Sequence, residues 1–236
     1  MGYSRSMAGL ICGVLAAGTA SAADWSGKGT LGGVLSRGNT DMETINANLD
    51  VATEIADWTY KMGASLLRTV EDDVASADRF ELRGEANYAL TERSYLFGTL
   101  RYEDDRFTDF AYQAVLAGGY GYKFITTETT KFEGQIGVGY RKSEIQVTEE
   151  TQEDAILRGA INFEHKLTAT TLLYERFLVE TGEDNTYIQN ALGIEVKITD
   201  AFALALDYQL RQNSEVLPGT EKTDQVLTAN LVYGFK

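Results

Sequence analysis

The chain has 236 residues, a formal net charge of −14, one cysteine, one histidine and one proline. A balance this acidic excludes ordinary nucleic-acid binding, and one cysteine excludes an internal disulfide framework. With a mean hydropathy of −0.22 and no apolar window near the 20 residues a spanning helix needs, a helical membrane protein is excluded as well.

The first 22 residues form an expected signal peptide: Arg5 as the short basic region, Met7–Gly18 as the apolar run, and Ala20-Ser21-Ala22 as the small-x-small cleavage pattern. Cys12 lies inside it, and Ile11 before it is too large for a lipoprotein signal. Removing the segment leaves 236 − 22 = 214 residues with a charge of 20 − 35 = −15, enough for one β domain over 23–236. Twelve strands are then predicted near 25–36, 43–55, 58–70, 79–90, 94–105, 111–124, 130–143, 153–166, 169–180, 186–198, 201–213 and 224–236. Side chains in a strand alternate between two faces. Ile45, Ala47, Leu49 and Val51 oppose Asn46, Asn48 and Asp50; Phe80, Leu82, Gly84, Ala86 and Tyr88 oppose Glu81, Arg83, Glu85 and Asn87. In the last strand Leu227, Ala229, Leu231, Tyr233 and Phe235 oppose Val226, Thr228, Asn230, Val232 and Gly234. Near 169–180 the adjacent Glu175 and Arg176 must face opposite sides, which leaves that strand ambiguous.

The connections sort by parity. Ala56-Asp57, Thr91-Glu92-Arg93, Thr126-Thr127-Glu128, Leu167-Thr168 and Thr199-Asp200 are short. The alternate connections are longer and acidic, including Glu71-Asp72-Asp73 and Glu149-Glu150, except for the short Gly38–Asp41. Short periplasmic turns, longer outer loops and an even strand number are the grammar of an outer-membrane barrel. Outward aromatics eight residues apart, Phe80 with Tyr88 and Phe132 with Tyr140, are separated by roughly 21 Å along the membrane normal, the height of an aromatic-bracketed apolar band. The expected fold is therefore all-β: a single antiparallel transmembrane β-barrel of about 12 strands in a bacterial outer membrane.

Several stretches, taken in order, are similar to one family. They are Ser36–Asp41, Leu96–Phe107, Ala117–Tyr122, Gly137–Arg141 and Thr223–Phe235. On them the chain resembles the YdiY-like family of salt-induced outer-membrane proteins (DUF481), whose function is unknown. The resemblance implies an outer-membrane location, a link to salt or acid stress, and no catalytic residues. Lys236 after Phe235 departs from barrels that end on the aromatic.

No chemistry is legible in the motifs. The one histidine, His165, falls at a strand end on the same face as Ile161 and Phe163, which suits an interfacial residue rather than a surface hydrolase. Gly118-Gly119-Tyr120-Gly121 lies within a strand with no helix after it, so a nucleotide site is not expected. No metal site, cofactor or enzyme activity is expected. Two charged sets remain. Glu81, Arg83, Glu85, Arg101, Arg141, Arg158, Asp207 and Arg211 are expected to line the lumen, either as a narrow water-filled path or as a plug of mutual ion pairs. Asp72, Asp73, Asp104, Asp105, Asp109, Glu149, Glu150, Asp154, Glu183 and Asp184 are expected to form an acidic outer rim. That rim either keeps the surface solvated or meets lipopolysaccharide phosphates through divalent cations. Outer-membrane lipids, and the barrel-assembly machinery acting on the last strand, are the expected partners. The functional alternatives are a narrow passive channel or envelope-stress component, and a non-conducting structural or adhesive barrel.

Overall fold

The computed structural model describes residues 24–36, 42–72, 74–106, 108–216 and 220–236. The expected signal peptide, the Gly38–Asp41 connection, Asp73 and Pro218 lie outside the described residues.

Twelve strands form one closed antiparallel barrel, each paired with its sequence neighbours and β1 with β12. They are β1 (Trp25–Ser36), β2 (Met42–Ile55), β3 (Trp58–Glu71), β4 (Val74–Ala89), β5 (Ser94–Asp105), β6 (Phe110–Thr126), β7 (Thr130–Ile145), β8 (Thr151–Lys166), β9 (Thr171–Thr181), β10 (Thr186–Lys197), β11 (Phe202–Asn213) and β12 (Thr223–Phe235). The alternation works inside out. Leu31, Ile45, Leu66, Leu100, Leu116, Ile136, Val138 and Leu157 all lie on the outer wall and are exposed, Ile136 by 72%. An apolar surface that encircles the molecule is far larger than a water-soluble monomer presents, and suits hydrocarbon. The buried positions are chiefly polar, among them Glu81, Glu180, Arg101 and Arg211. Apolar packing inside is confined to small clusters such as Val115, Ala117 and Ile156.

One end of the barrel holds the tight turns and both termini of the sheet; we call it the turn end. Four of its turns share one device. The hydroxyls of Thr91, Thr127, Thr168 and Thr199 accept hydrogen bonds from the backbone N–H three residues on, at Ser94, Thr130, Thr171 and Phe202, over 2.9–3.0 Å. A threonine at this position closes the turn with its own side chain. The fifth turn, Ala56-Asp57, instead places Ala56 at φ 53°. Around this end runs an aromatic belt in which Phe124 packs on Phe132 at 5.2 Å, Phe132 on Phe163 at 6.4 Å, and Phe202 on Tyr233 at 5.2 Å.

At the opposite, loop end the strands run further than the sequence suggests. β4 begins at Val74 rather than near 79, so the third connection is a tight hairpin between Glu71 and Val74, with Asp72 at φ 47°. Residues 74–79 are strand because Ala75, Ala77, Asp78 and Arg79 continue the ladder with β3. The longest described connection joins β11 to β12, from Asn213 to Thr223. β9 is also resolved: Glu175 sits opposite Phe163 and Leu192 on the outer wall and accepts a hydrogen bond from Asn190 at 3.0 Å. Arg176 therefore faces inward.

Candidate functional site: the charged lumen

The inward face of β4 alternates Arg79, Glu81, Arg83, Glu85 and Asn87, and that of β5 carries Arg101, Glu103 and Asp105. Period-two spacing puts these charges on one wall. Across the lumen, β9 supplies Glu180 and β11 supplies Arg211. Arg101 donates to Glu180 at 2.5 Å and to Glu103 at 3.2 Å. Arg211 donates to Glu103 at 2.8 Å and to Glu81 at 3.2 Å. Arg83 closes on Glu81 at 2.5 Å, Arg79 pairs with Asp105, and Arg158 reaches Glu180 at 4.0 Å. Glu81 has no exposed surface and Glu180 2%. The result is a layer of alternating guanidinium and carboxylate groups strung from one side of the barrel to the other.

Aromatic rings hold the layer in place. The Arg101 guanidinium lies 4.6 Å above the buried Tyr187 ring, and that of Arg158 lies 5.0 Å above Phe97. Such stacking orients a planar cation without removing it from its carboxylate. Two glycines make room for inward rings: a Cβ on Gly121 would enter the ring of Tyr95, and one on Gly193 the ring of Tyr174. Tyr174 in turn donates to Asp207.

Below the layer, towards the turn end, the lumen opens into a cavity of about 1380 Å³. Arg79, Arg101 and Arg211 form its roof, and Lys197, Asp200 and Lys236 line it at the turn end. Its charges are largely paired: Lys61 with Glu85 at 3.1 Å, Arg83 with Asp50 at 2.8 Å, and Lys28 with Glu195 at 2.9 Å. We call this cavity the vestibule.

All eight residues expected in the lumen face inward, but they separate into groups. Glu81, Arg83, Arg101, Arg158 and Arg211 belong to the ion-pair layer. Glu85 and Asp207 belong to the vestibule, and Arg141 sits apart, donating to Asp154 at 2.8 Å and to the Asn185 carbonyl at 2.6 Å. The expected acidic rim needs correction at three positions. Asp105 and Asp154 point inward and are buried against Arg79 and Arg141. Asp109 is buried too and accepts from the Thr220 hydroxyl at 2.7 Å. The physical reason is that a strand end alternates sides as its interior does, so Asp104 and Asp105 cannot both face solvent. Asp72, Glu149, Glu150, Glu183 and Asp184 are exposed at the loop end, and Asp104 is half-buried on the outer wall. Sequence reasoning missed Arg79, Glu103, Glu180 and Tyr187. The first two were detectable as i ± 2 neighbours of Glu81 and Arg101; the partners on β9 and β10 carried no such signal. His165 is hydrogen-bonded through Nδ1 to the Thr130 hydroxyl at 2.8 Å and lies parallel to Phe163, at the edge of the aromatic belt.

Known proteins agree with this architecture. The NanC porin superposes with a TM-score of 0.54 at 11% identity, over 89% of this chain and 99% of that one. An outer-membrane channel from Pseudomonas putida F1 (COG4313) gives the same score at 10% identity, covering 90% and 96%. At these identities the likeness is one of fold. In sequence, the chain is 26% identical over 198 residues to the uncharacterised protein YdiY of Escherichia coli (strain K12), covering 83% of this chain and 77% of that one. The profile of the protein family of unknown function DUF481 matches residues 29–235, so the chain belongs to the DUF481 family.

Proposed function

We propose that the protein sits in a bacterial outer membrane, turn end towards the periplasm, and acts as a narrow passive channel held shut at rest by its ion-pair layer. The observation that carries this reading is the pair of cross-lumen bridges, Arg101 to Glu180 and Arg211 to Glu81 and Glu103. Buried ion pairs contribute less to stability than apolar packing of the same volume. Their retention across a lumen, above a vestibule of about 1380 Å³, suits a gate that charge or solute can reorganise. No catalytic role is assigned to any residue, and the link to salt stress rests on the family resemblance. A second reading, a non-conducting structural barrel acting through its exposed acidic loops, is favoured by the complete burial of Glu81.

Planar-bilayer recording separates the two. The refolded wild type is expected to be silent or to open rarely, and Arg211→Ala and Arg101→Ala to give discrete steps. Silent variants whose folding is established by heat-shifted gel mobility would leave the structural barrel standing.

A further inference from the structure

We propose that the loop-end part of the β1–β12 seam is a lateral doorway, through which a single-chain amphiphile with a hydrogen-bond-donating head passes between bilayer and vestibule. This goes beyond the channel reading and does not require the ion-pair layer to open.

The seam is the least paired interface in the barrel. Seven register pairs join β1 to β12, from Gly27 opposite Phe235 to Gly33 opposite Ala229, whereas every other interface has at least ten. The same register would set Val34 opposite Thr228, Leu35 opposite Leu227 and Ser36 opposite Val226. All six residues are strand, yet none of these pairs forms; β1 bonds only to β2 there, and β12 only to β11. Two strand edges thus face each other unpaired for about 10 Å, three residues at strand rise. Closed barrels exist because lipid cannot satisfy such edges, so a gap retained at the outer-leaflet end of the seam marks a place where the wall parts.

The vestibule lies directly behind it. Val226 and Thr228, two of the residues without a partner on β1, line that cavity together with Thr30, Asn46 and Asn230. This sector touches the ion-pair layer only at its loop-end edge, where Arg79 reaches Asp224 of β12 at 3.5 Å; the other charges of the layer come from β4, β5, β8, β9 and β11. An alkyl chain entering here meets hydroxyls, amides and Val226 rather than buried guanidinium groups. Leu227 on the outer lip, and the paired Leu31 and Leu231 just below it, are apolar and exposed.

One buried acceptor points to the head group. Asn230 donates to Asp207 at 2.6 Å and to Thr228 at 3.1 Å, so its carbonyl oxygen must be what accepts from Asn46, at 2.9 Å. That fixes the Asn46 amide: its nitrogen donates, and its Oδ1 is buried with no hydrogen-bond partner. An unmet buried acceptor beside a cavity is completed by a donor from outside, such as the ammonium or hydroxyl of a lipid head.

The test uses the refolded barrel in phosphatidylcholine vesicles with lysophosphatidylethanolamine that has a photoreactive diazirine in its acyl chain. After irradiation, mass spectrometry is expected to find adducts at inward positions, Thr228, Val226 and Asn46, as well as at lipid-facing Leu227 and Leu231. In the Val34→Cys/Thr228→Cys variant, disulfide formation is expected to abolish inward adducts and leave outward ones, with reduction restoring them. Adducts confined to outward residues would overturn the proposal. So would inward labelling unchanged by oxidation, which would mean entry through the turn end. If the two cysteines do not oxidise, Asn46→Ala decides: inward labelling is expected to fall about 2- to 10-fold, the effect of one hydrogen bond, and unchanged labelling in a folded variant would overturn the doorway.

Discussion

Truncating Arg101 is expected to destabilise the barrel more than truncating Arg211, although both arginines are buried and both bridge the lumen. Removing one partner of a buried pair costs about 3–5 kcal/mol, because the other charge stays buried without compensation. The structure decides where in that range each variant falls. Without Arg211, Glu81 keeps Arg83 at 2.5 Å and Glu103 keeps Arg101 at 3.2 Å, so the loss is about 3 kcal/mol. Without Arg101, Glu180 retains among the described residues only Arg158 at 4.0 Å, and the Tyr187 ring loses the cation stacked on it, so the loss is about 5 kcal/mol. Replacing both members of the bridge, in Arg101→Met/Glu180→Leu, removes the unpaired charge and is expected to recover most of the loss. Denaturant titration of the refolded protein, followed by tryptophan emission and gel mobility, measures all three. A reversed order, or losses under about 1 kcal/mol, would show that water reaches the layer and that the pairs are screened as surface pairs are.

Four further substitutions probe the outer wall, a turn and the packing of the lumen. Glu175→Leu replaces a lipid-facing carboxylate flanked by Phe163 and Leu192 and is expected to stabilise the barrel by about 1–2 kcal/mol; a loss of stability would place that side chain in a polar contact that matters. Ala56→Gly relieves a left-handed alanine in the two-residue β2–β3 turn and is expected to raise stability by about 1 kcal/mol in the same titration, with no gain refuting the strain. Gly121→Val drives a side chain into the ring of Tyr95 and is expected to cost about 1–3 kcal/mol, whereas Gly84→Val, where a Cβ meets nothing within 4 Å, is expected to be near neutral.

The fold was legible because a membrane barrel writes its rule at every second residue. Leu227 to Phe235 and Phe80 to Tyr88 name the lipid-facing wall before any pairing is known, and the even connections name the turn end. The threonine turns were written there too, at Thr91, Thr127, Thr168 and Thr199, although their hydrogen-bond role emerges only with the geometry. Where the sequence misled, it did so at strand ends. Asp105 and Asp154 look like loop acids because acidic residues cluster there, yet alternation continues to the last paired residue and turns them inward; Asp109, in the bend before β6, is buried where it accepts from the Thr220 hydroxyl. The layer itself was half legible. That Glu81 and Arg101 point into a lumen follows from period two; that they meet Arg211 and Glu180 depends on barrel curvature and stagger, which bring β4 and β5 within reach of β9 and β11 and leave no trace in local pattern.

This division explains why the interior is uneven. A barrel of this width must fill or wet its lumen, and here the two solutions occupy different sectors. Charges dense enough to span the lumen come from β4, β5, β8, β9 and β11, where arginine is held by rings and opposed carboxylates. The remaining arc, β12, β1 and β2, offers chiefly Thr30, Gly32, Thr44, Asn46, Thr228 and Asn230, side chains too short to cross the lumen, and its inward charges, Lys28, Asp50 and Asp224, are half-exposed rather than buried. The seam of the barrel falls in that arc, at the interface with the fewest pairs. A wall that must part without breaking a buried ion pair could lie only there, since anywhere along β4 or β5 it would strand carboxylates such as Glu81 and Glu103 in a low dielectric at a cost the bilayer does not return.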